Sequence, residues 1–310
     1  MGPRVKPGVT AQIFPSPRAS SCETRGPIFS VPEETTTKMQ RETRRLILLL
    51  LPAGIFFSAF FLIPMAELFL IGGTGKEGWA AYASIITNRN YFNSLLATLG
   101  VAVLTTIVTL IISGISGVFL QRHKFPGNGT LVAMLTFPLA FPGVVIGFMV
   151  IMLAGRQGLI GTVSEALTGD KIVFAYSLAG LFMGYVYFSI PRTILTVMAA
   201  AEKLDPKLEE AARSLGASPF RVVVDVIIPG LKPAFISAGA ICFATAVGAF
   251  GTAFTLAAKI NVLPMVIYTE FTLSANIAMA AALSFVLGAV TWIVLALART
   301  AAGGTVAAAG

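Results

Sequence analysis

The sequence contains few of the residues from which enzyme active sites and metal sites are usually built. Its 310 residues include one histidine and two cysteines, and only 12% of them are charged, against about a quarter in a soluble domain. His123 stands alone in a short loop, while Cys22 and Cys242 lie in different surroundings, a polar tail and an apolar run. These counts leave no material for a disulfide framework, a metal centre or a histidine-based triad. We therefore expect no catalytic residue, no metal and no cofactor in this chain.

Long hydrophobic runs are what the sequence has instead. Apolar residues make up 56% of the chain, and the mean hydropathy is +0.84. A helix needs about 20 apolar residues to cross a bilayer. Six such runs are present, at about 46–71, 93–120, 130–154, 172–198, 234–258 and 277–298. The sequence therefore predicts an all-α membrane protein with six transmembrane helices in a domain over 46–300.

The two ends of the chain differ from this central domain. Residues 1–45 are rich in proline, serine, threonine and arginine and have no hydrophobic periodicity, which predicts a disordered tail. A second interpretation is a start at Met39, directly before the basic lead-in to the first hydrophobic run. Residues 301–310 form a short tail without a recognisable signal.

The distribution of lysine and arginine predicts the orientation of the chain. Thirteen of these residues fall on the side that holds both ends of the domain and the segment between the fourth and fifth spans, and five fall on the other side. Positive residues of membrane proteins concentrate in the cytoplasm, so both tails and that segment are predicted to be cytoplasmic. This assignment puts Arg192 at the cytoplasmic end of the fourth span and leaves the middle of every span uncharged.

The segment 202–230, between the fourth and fifth spans, has the pattern of two helices joined at a glycine. Asp205 can cap a helix that begins with proline, and Gly216 can adopt the left-handed conformation that ends it. The first helix would carry an apolar stripe formed by Leu208, Ala211, Ala212 and Leu215. On its opposite side, Glu209 and Arg213 are four residues apart in the order that favours an ion pair.

The same segment carries a motif. Glu210-Ala211-Ala212 is followed after three residues by Gly216, and after nine more by Val-Ile-Ile-Pro, which ends at Pro229. This resembles the EAA loop of ABC-importer permeases, whose pattern is EAA-x3-G-x9-I-x-L-P, with two conservative departures near its end. The alternative is an ordinary amphipathic hairpin between two membrane helices.

The resemblance implies a division of work between subunits. In the family the loop is cytoplasmic, and its first helix docks into a groove on an ATPase subunit. The residues that would couple to the ATPase are Glu210, Ala211, Ala212, Leu215, Gly216 and Pro229. The sequence has no G-x-x-x-x-G-K-[ST] phosphate loop, so ATP would be bound by the partner.

The other expected partners also follow from the resemblance. They are a second and different permease subunit, an extracytoplasmic substrate-binding protein and the lipid of a bacterial inner membrane, with no nucleic acid. A homodimer is the alternative to the pair of different permeases.

The resemblance extends over the core 91–298, and the segment at 155–161 is similar to the spermidine/putrescine branch of the family. This favours a polyamine or a similar small cation or zwitterion as the substrate. An ion-gradient-driven transporter or channel is the alternative function. Such proteins usually keep an ionisable residue inside the membrane, which the predicted spans lack.

Two segments rich in proline and glycine are candidates for the translocation path. In the third run two prolines flank an aromatic residue and break the backbone ladder, which is tolerated at membrane depth where freed carbonyls face protein or a cavity. The fifth run contains a second segment, dense in glycine. The predicted pathway residues are Pro138, Phe141, Gly248, Phe250, Gly251 and Thr252. Close helix packing is the alternative explanation for all six.

Overall fold

The structure, a computed structural model, describes residues 46–75, 78–256 and 260–301. These residues belong to two compact units, residues 46–58 to the first and the remainder to the second. The predictions for the N-terminal tail, for a start at Met39 and for residues 302–310 lie outside the described residues.

The described residues form helices and the loops between them, and none of them is in a β-strand. Six helices are long and apolar enough to cross a membrane, as predicted. They are α1 (Leu46–Gly72), α2 (Arg89–Arg122), α3 (Gly143–Thr168, which consists of the helices Gly143–Ala154 and Leu159–Thr168), α4 (Leu178–Lys203), α5 (Pro219–Val247) and α6 (Ile277–Ala301). Shorter helices lie between them, at Ala80–Thr87, Asn128–Thr136, Pro206–Ser214, Phe250–Leu256 and Leu263–Thr272. The predicted fold class is confirmed.

The third predicted run, 130–154, is not a single helix. The chain forms a helix, a 3-10 turn and then the start of α3, at Asn128–Thr136, Phe137–Ala140 and Gly143. Proline disfavours the helical conformation in the residue before it and cannot donate a backbone hydrogen bond. Phe141, which precedes Pro142, accordingly has an extended backbone (φ −98°, ψ 135°). The prolines therefore divide the run at the position where the sequence predicts a broken ladder.

The fourth span begins at Leu178 and not near residue 172. The amides of Phe174 and Ala175 donate to the carbonyl oxygen of Ala154 in α3, at 3.2 and 3.1 Å. These bonds tie the segment to α3 and take the place of a first helical turn. Ser177 then caps α4, because its side-chain oxygen accepts a hydrogen bond from the α4 backbone at 3.4 Å.

The extent of α4 bears on one prediction about charge. α4 runs from Leu178 to Lys203, with Pro191 accommodated inside the helix. Arg192 therefore lies near the middle of this helix. Because α4 is longer than the roughly 20 residues that cross a bilayer, the placement of Arg192 at the cytoplasmic end of the fourth span stays a prediction.

The fifth predicted run, 234–258, forms two helices. α5 starts as early as Pro219, contains a π-helical turn, and ends at Val247 with Gly248 as its C-cap. The short helix Phe250–Leu256 follows, and residues 257–259 lie outside the described part of the chain. At the break, the hydroxyl of Tyr185 in α4 donates to the carbonyl oxygen of Ala249 at 3.1 Å. The same carbonyl accepts from the amide of Ala253 at 3.4 Å, so a side chain of α4 is tied to the start of the short helix after the break.

Small residues let α2 pack closely against α4 and α5. A Cβ on Gly117 would lie 3.0 Å from Val197, and one on Gly114 would lie 3.1 Å from Phe235. The hydroxyl of Ser113 also donates to a backbone carbonyl of α4 at 3.3 Å. Close approach through small residues is the usual way in which membrane helices associate. This packing brings the end of α2 beside the segment between α4 and α5.

Candidate coupling loop and translocation path

The helix Pro206–Ser214, which we call the loop helix, starts with a side-chain cap. Asp205 has an extended backbone, and its Oδ1 accepts a hydrogen bond from the amide of Lys207 at 3.0 Å. Proline follows as the first helical residue, where its missing amide costs nothing. Residues that are adjacent in the sequence thus fix the start of the loop helix.

Gly216 ends the loop helix in the left-handed conformation, with φ +82°. Its amide donates to the carbonyl oxygen of Arg213 at 2.9 Å, and the amide of Ala217 donates to Ala212 at 3.1 Å. These bonds occupy carbonyls that the end of a helix leaves without partners. Ser218 then caps α5, its Oγ accepting from a backbone amide at 3.4 Å. The chain therefore makes a hydrogen-bonded corner between the two helices.

Three large apolar side chains around this corner are exposed. The exposed fractions are 53% for Leu208, 89% for Leu215 and 77% for Phe220. Two of these residues sit on the loop helix or at its C-terminal end, and the third follows the corner in α5. Apolar groups that project from a polar loop are typical of a surface that another protein covers.

The buried side of the loop helix carries a charge. Glu209 is only 8% exposed, and its Oε1 lies 2.7 Å from Nη2 of Arg122, at the end of α2. Arg213, the predicted partner of Glu209, is more distant at 3.9 Å, and its side chain is 64% exposed. The predicted i,i+4 pair of Glu209 and Arg213 is thus present, but Arg122 is the closer partner of Glu209. Glu209 points inward, to a partner far away in the sequence.

Arg122 connects three parts of the chain. Besides its ion pair with Glu209, its Nη2 donates to the carbonyl oxygen of Leu204, just after α4, at 3.1 Å. The Nε of Arg122 and the Oε1 of Glu209 are buried and make no hydrogen bond to any described residue. At 2.7 Å and with both side chains largely buried, the pair is a close contact of opposite charges. It joins the loop helix to the ends of α2 and α4.

The predicted coupling residues lie at two places. Glu210, Ala211, Leu215 and Gly216 are exposed on the loop helix and its corner, and Ala212 is half-buried there. Pro229 is exposed in α5, directly after the π-helical turn Val223–Ile227. The structure thus leaves most of the motif accessible on the loop, and its coupling role remains a prediction.

Thr252, one of the predicted pathway residues, lies where three helices meet. It is 2% exposed, and its hydroxyl donates to the carbonyl oxygen of Gly143 in α3 at 3.0 Å. A Cβ on Gly184 of α4 would lie 2.9 Å from the methyl group of Thr252. Gly251 is also close to α3, since a Cβ there would be 3.1 Å from Val144. These contacts favour helix packing as the role of Thr252.

The other predicted pathway residues lie in two segments, the 3-10 turn before α3 and the break after α5. Phe250 packs against Phe254 and Tyr268, with ring centroids 5.4 and 5.5 Å apart. Gly248 is exposed at the break after α5. Pro138 is buried in the 3-10 turn, and the ring of Phe141 meets that of Phe137 edge-on at 5.0 Å. Their role in a translocation path remains a prediction.

Replacing Thr252 by valine is expected to destabilise the protein by about 0.5–1.5 kcal/mol, because the hydrogen bond from its buried hydroxyl to the carbonyl of Gly143 would be lost. Thr252→Ser keeps the hydroxyl and is the matched control, with a smaller expected loss. Thermal unfolding of the purified protein without substrate measures both variants. Unchanged stability in Thr252→Val together with altered transport would instead favour the pathway role.

The region that contains α4, the loop and the broken α5 also carries the family signal. Residues 110–302 match the family described as the inner membrane component of binding-protein-dependent transport systems. The chain belongs to that family. The chain is thus a permease subunit of an ABC importer, as its EAA motif predicts, and the ion-gradient alternative is not favoured.

Three relatives show how far this similarity extends. A protein of Salmonella typhimurium (strain LT2) named for 2-aminoethylphosphonate transport, PhnU, is 28% identical over 249 residues, 78% of the permease and 87% of the relative. The sulfate transport system permease protein CysT of Escherichia coli (strain K12) is 30% identical, over 66% of the permease and 73% of the relative. The molybdenum transport system permease protein ModB of the same strain is 31% identical, over 60% and 81%.

A solved structure has the same fold. The permease superimposes with a TM-score of 0.70 on a chain of a bacterial ABC transporter that imports alginate, covering 87% of the permease and 98% of that chain. The sequence identity is 15%, so this likeness concerns the fold alone. The relatives above are named for a phosphonate, sulfate and molybdenum, and their names do not support the predicted preference for spermidine or putrescine.

Sequence reasoning misses one functional contact, the ion pair of Glu209 with Arg122. The helical pattern of the loop offers only Arg213 as a partner for Glu209. Inspecting the other predicted loops for an unpaired arginine would identify Arg122 as a candidate partner. The position of Arg192 within α4 has no comparable signal, because it depends on where α4 starts.

Proposed function

We propose that this permease is driven by a separate ATPase dimer that docks on the loop helix and its glycine corner. The exposed apolar side chains of Leu208, Leu215 and Phe220 are the observation that carries this proposal. Leu208 and Leu215 stand on the loop helix or at its end, and the buried side of that helix is fixed to the rest of the permease by Glu209 and Arg122. A surface of this kind can transmit a displacement, because it does not turn independently of the spans.

The buried ion pair would transmit a displacement of the loop helix to the spans. Closure of the ATPase dimer would displace the loop helix, and Arg122 would carry that displacement to the ends of α2 and α4. Those spans pack closely through Gly117 and Ser113, so they would move together. The result would be a rocking of the spans between inward- and outward-open states.

The remaining partners belong to the same proposal. An extracytoplasmic binding protein would deliver the substrate, and a second permease subunit would complete the path. The alginate transporter of similar fold is solved in complex with a substrate-bound periplasmic protein, which supports the first of these. ATP would be bound only by the ATPase, so the permease would need no cofactor. Both termini would be cytoplasmic, on the side of the loop helix.

A small oxyanion is the substrate class that the relatives favour. 2-Aminoethylphosphonate and sulfate are tetrahedral oxyanions, and molybdenum is carried in solution as one. The relatives named for them are 27–31% identical to this chain. The positive side chain in the middle of α4 is compatible with an anion and unfavourable for a polyamine.

Leu215→Asp is expected to reduce the amount of ATPase that co-purifies with the permease by about tenfold or more, as for a central interface residue. Leu215 is 89% exposed, so its replacement removes little packing within the permease itself. The experiment isolates the permease in mild detergent together with the products of neighbouring genes. Leu273→Asp is the matched control, because that leucine is 74% exposed, lies outside the six spans and is far from the loop in sequence. If no ATPase accompanies the wild type, or if both variants keep it equally, the coupling proposal is wrong.

A further inference from the structure

Arg192 lies within α4, one of the six helices that are long and apolar enough to cross a membrane. At 1.5 Å per residue, it is about 21 Å from the start of α4 at Leu178 and about 17 Å from its end at Lys203. The hydrocarbon core of a bilayer is about 30 Å thick, so a span that begins at Leu178 includes Arg192. A charged side chain within a span is costly, and it usually faces a cavity or the interior of a bundle and serves a function.

No acidic group compensates this charge within residues 46–75, 78–256 and 260–301. The ion pairs found there involve Arg122, Lys171 and Arg213, and no carboxylate lies within 4.0 Å of Arg192. The guanidinium has five N–H donors. One of them, on Nη1, donates to Oγ1 of Thr245 at 3.2 Å, and the group lies 5.9 Å from the ring centre of Phe188. Most of its capacity to bind an anion is therefore unused by this part of the chain.

The surroundings position the guanidinium and do not neutralise it. It borders a cavity of about 20 Å³ between α4 and α5, which is also lined by Ser189, Thr193, Thr196 and Thr245. The three threonine hydroxyls donate to backbone carbonyls of their own helices. The Thr245 oxygen is left with a lone pair that accepts the arginine N–H. The cavity has room for one water molecule, so an anion would contact Arg192 at its mouth.

Arg192 also lies beside the break in α5. Its partner Thr245 precedes Gly248 by three residues, or about 4.5 Å along the helix. Tyr185, seven residues before Arg192 and so on the same side of α4, donates to the carbonyl of Ala249 in the break. Non-helical backbone at membrane depth is tolerated where it is buried in protein or lines a water-filled cavity. The guanidinium and the predicted pathway segment are thus neighbours.

We propose that Arg192 is the anion-binding residue of the translocation path, where its guanidinium contacts the oxyanion as it crosses the membrane. This inference rests on the proposed function and extends it, because it assigns the recognition of the oxyanion to one side chain. A guanidinium binds two oxygens of a phosphonate or sulfate group in a forked geometry, and its charge offsets the cost of bringing an anion into the membrane. Thr245 is a positioning residue for it.

The test uses the assembled transporter, with its ATPase and binding protein, in proteoliposomes. The probes are 2-aminoethylphosphonate, sulfate and molybdate, and uptake is measured for each probe that the wild type transports. Arg192→Gln is expected to lower that uptake at least about 30-fold, the loss of a charged hydrogen-bonding partner. Arg192→Lys keeps the charge but not the forked geometry of the guanidinium, so its uptake should lie between that of the wild type and that of Arg192→Gln.

Thr245→Val is the control for a purely structural role. It removes the hydrogen bond to Arg192 but keeps the charge, and it should lower uptake at most about fivefold. If Arg192→Gln takes up the probe as fast as the wild type, or if Thr245→Val loses as much uptake as Arg192→Gln, the assignment of anion binding to Arg192 is wrong. The oxyanion substrate class would not be affected by either result. If the complete wild-type complex transports none of the three probes, the oxyanion substrate class is wrong and this inference falls with it.

Discussion

Replacing Gly216 by proline is expected to abolish uptake while the permease still inserts into the membrane. Gly216 has φ +82°, whereas the proline ring fixes φ near −65°. Proline would also remove the amide that donates to Arg213 at 2.9 Å. The corner between the loop helix and α5 would therefore be lost, although no membrane span contains this residue. Uptake and the amount of permease in the membrane fraction, measured on the same cells, test this expectation.

Gly216→Ala is the matched control for that change. A Cβ at this position would meet no heavy atom within 4 Å, so the alanine adds no clash. It adds only the strain of a left-handed residue, about 1–2 kcal/mol. Uptake should therefore be reduced but measurable. Normal transport by Gly216→Pro would show that the corner is not needed for coupling.

The corner was predictable because each rule that forms it acts within a few residues. Asp205 and Ser218 cap the helices that follow them, and Gly216 supplies the left-handed turn. The six spans were predictable for a different reason, because the bilayer demands about 20 apolar residues from each helix. Both kinds of signal are local in the sequence, so neither depends on how the spans pack.

The features that the sequence did not predict depend on contacts between distant segments. The start of α4, and with it the position of Arg192 in the helix, is set where Phe174 and Ala175 bond to Ala154 of α3. The orientation of Glu209 is set by Arg122, which α2 brings to the loop. A helical pattern gives the sides of a helix but not which side another helix will cover. In the structure the charged position Glu209 is the covered one, while Leu208 and Leu215 of the apolar stripe are exposed.

The buried ion pair leads to the second large expected effect. Arg122→Ala would leave Glu209, whose side chain is 11% exposed, with only the distant Arg213 as a counter-charge. Removing one partner of a buried pair costs about 3–5 kcal/mol, because the other charge stays buried. We expect the loop helix to open more often, so its amides should exchange hydrogen at least about a hundredfold faster. ATP hydrolysis by the assembled complex should continue while uptake falls, because the loop no longer moves with α2 and α4.

Arg213→Ala separates this effect from a general change in the charge of the loop. The Arg213 side chain is 64% exposed and lies 3.9 Å from Glu209, so its removal should cost at most about 1 kcal/mol. The exchange of the loop helix and the uptake should then stay close to wild type. Equal exchange rates in the two variants would mean that Arg122 does not hold the loop helix. Faster exchange in Arg122→Ala with full uptake would mean that the displacement reaches the spans in another way, directly through α5, which begins at Pro219 beside the corner.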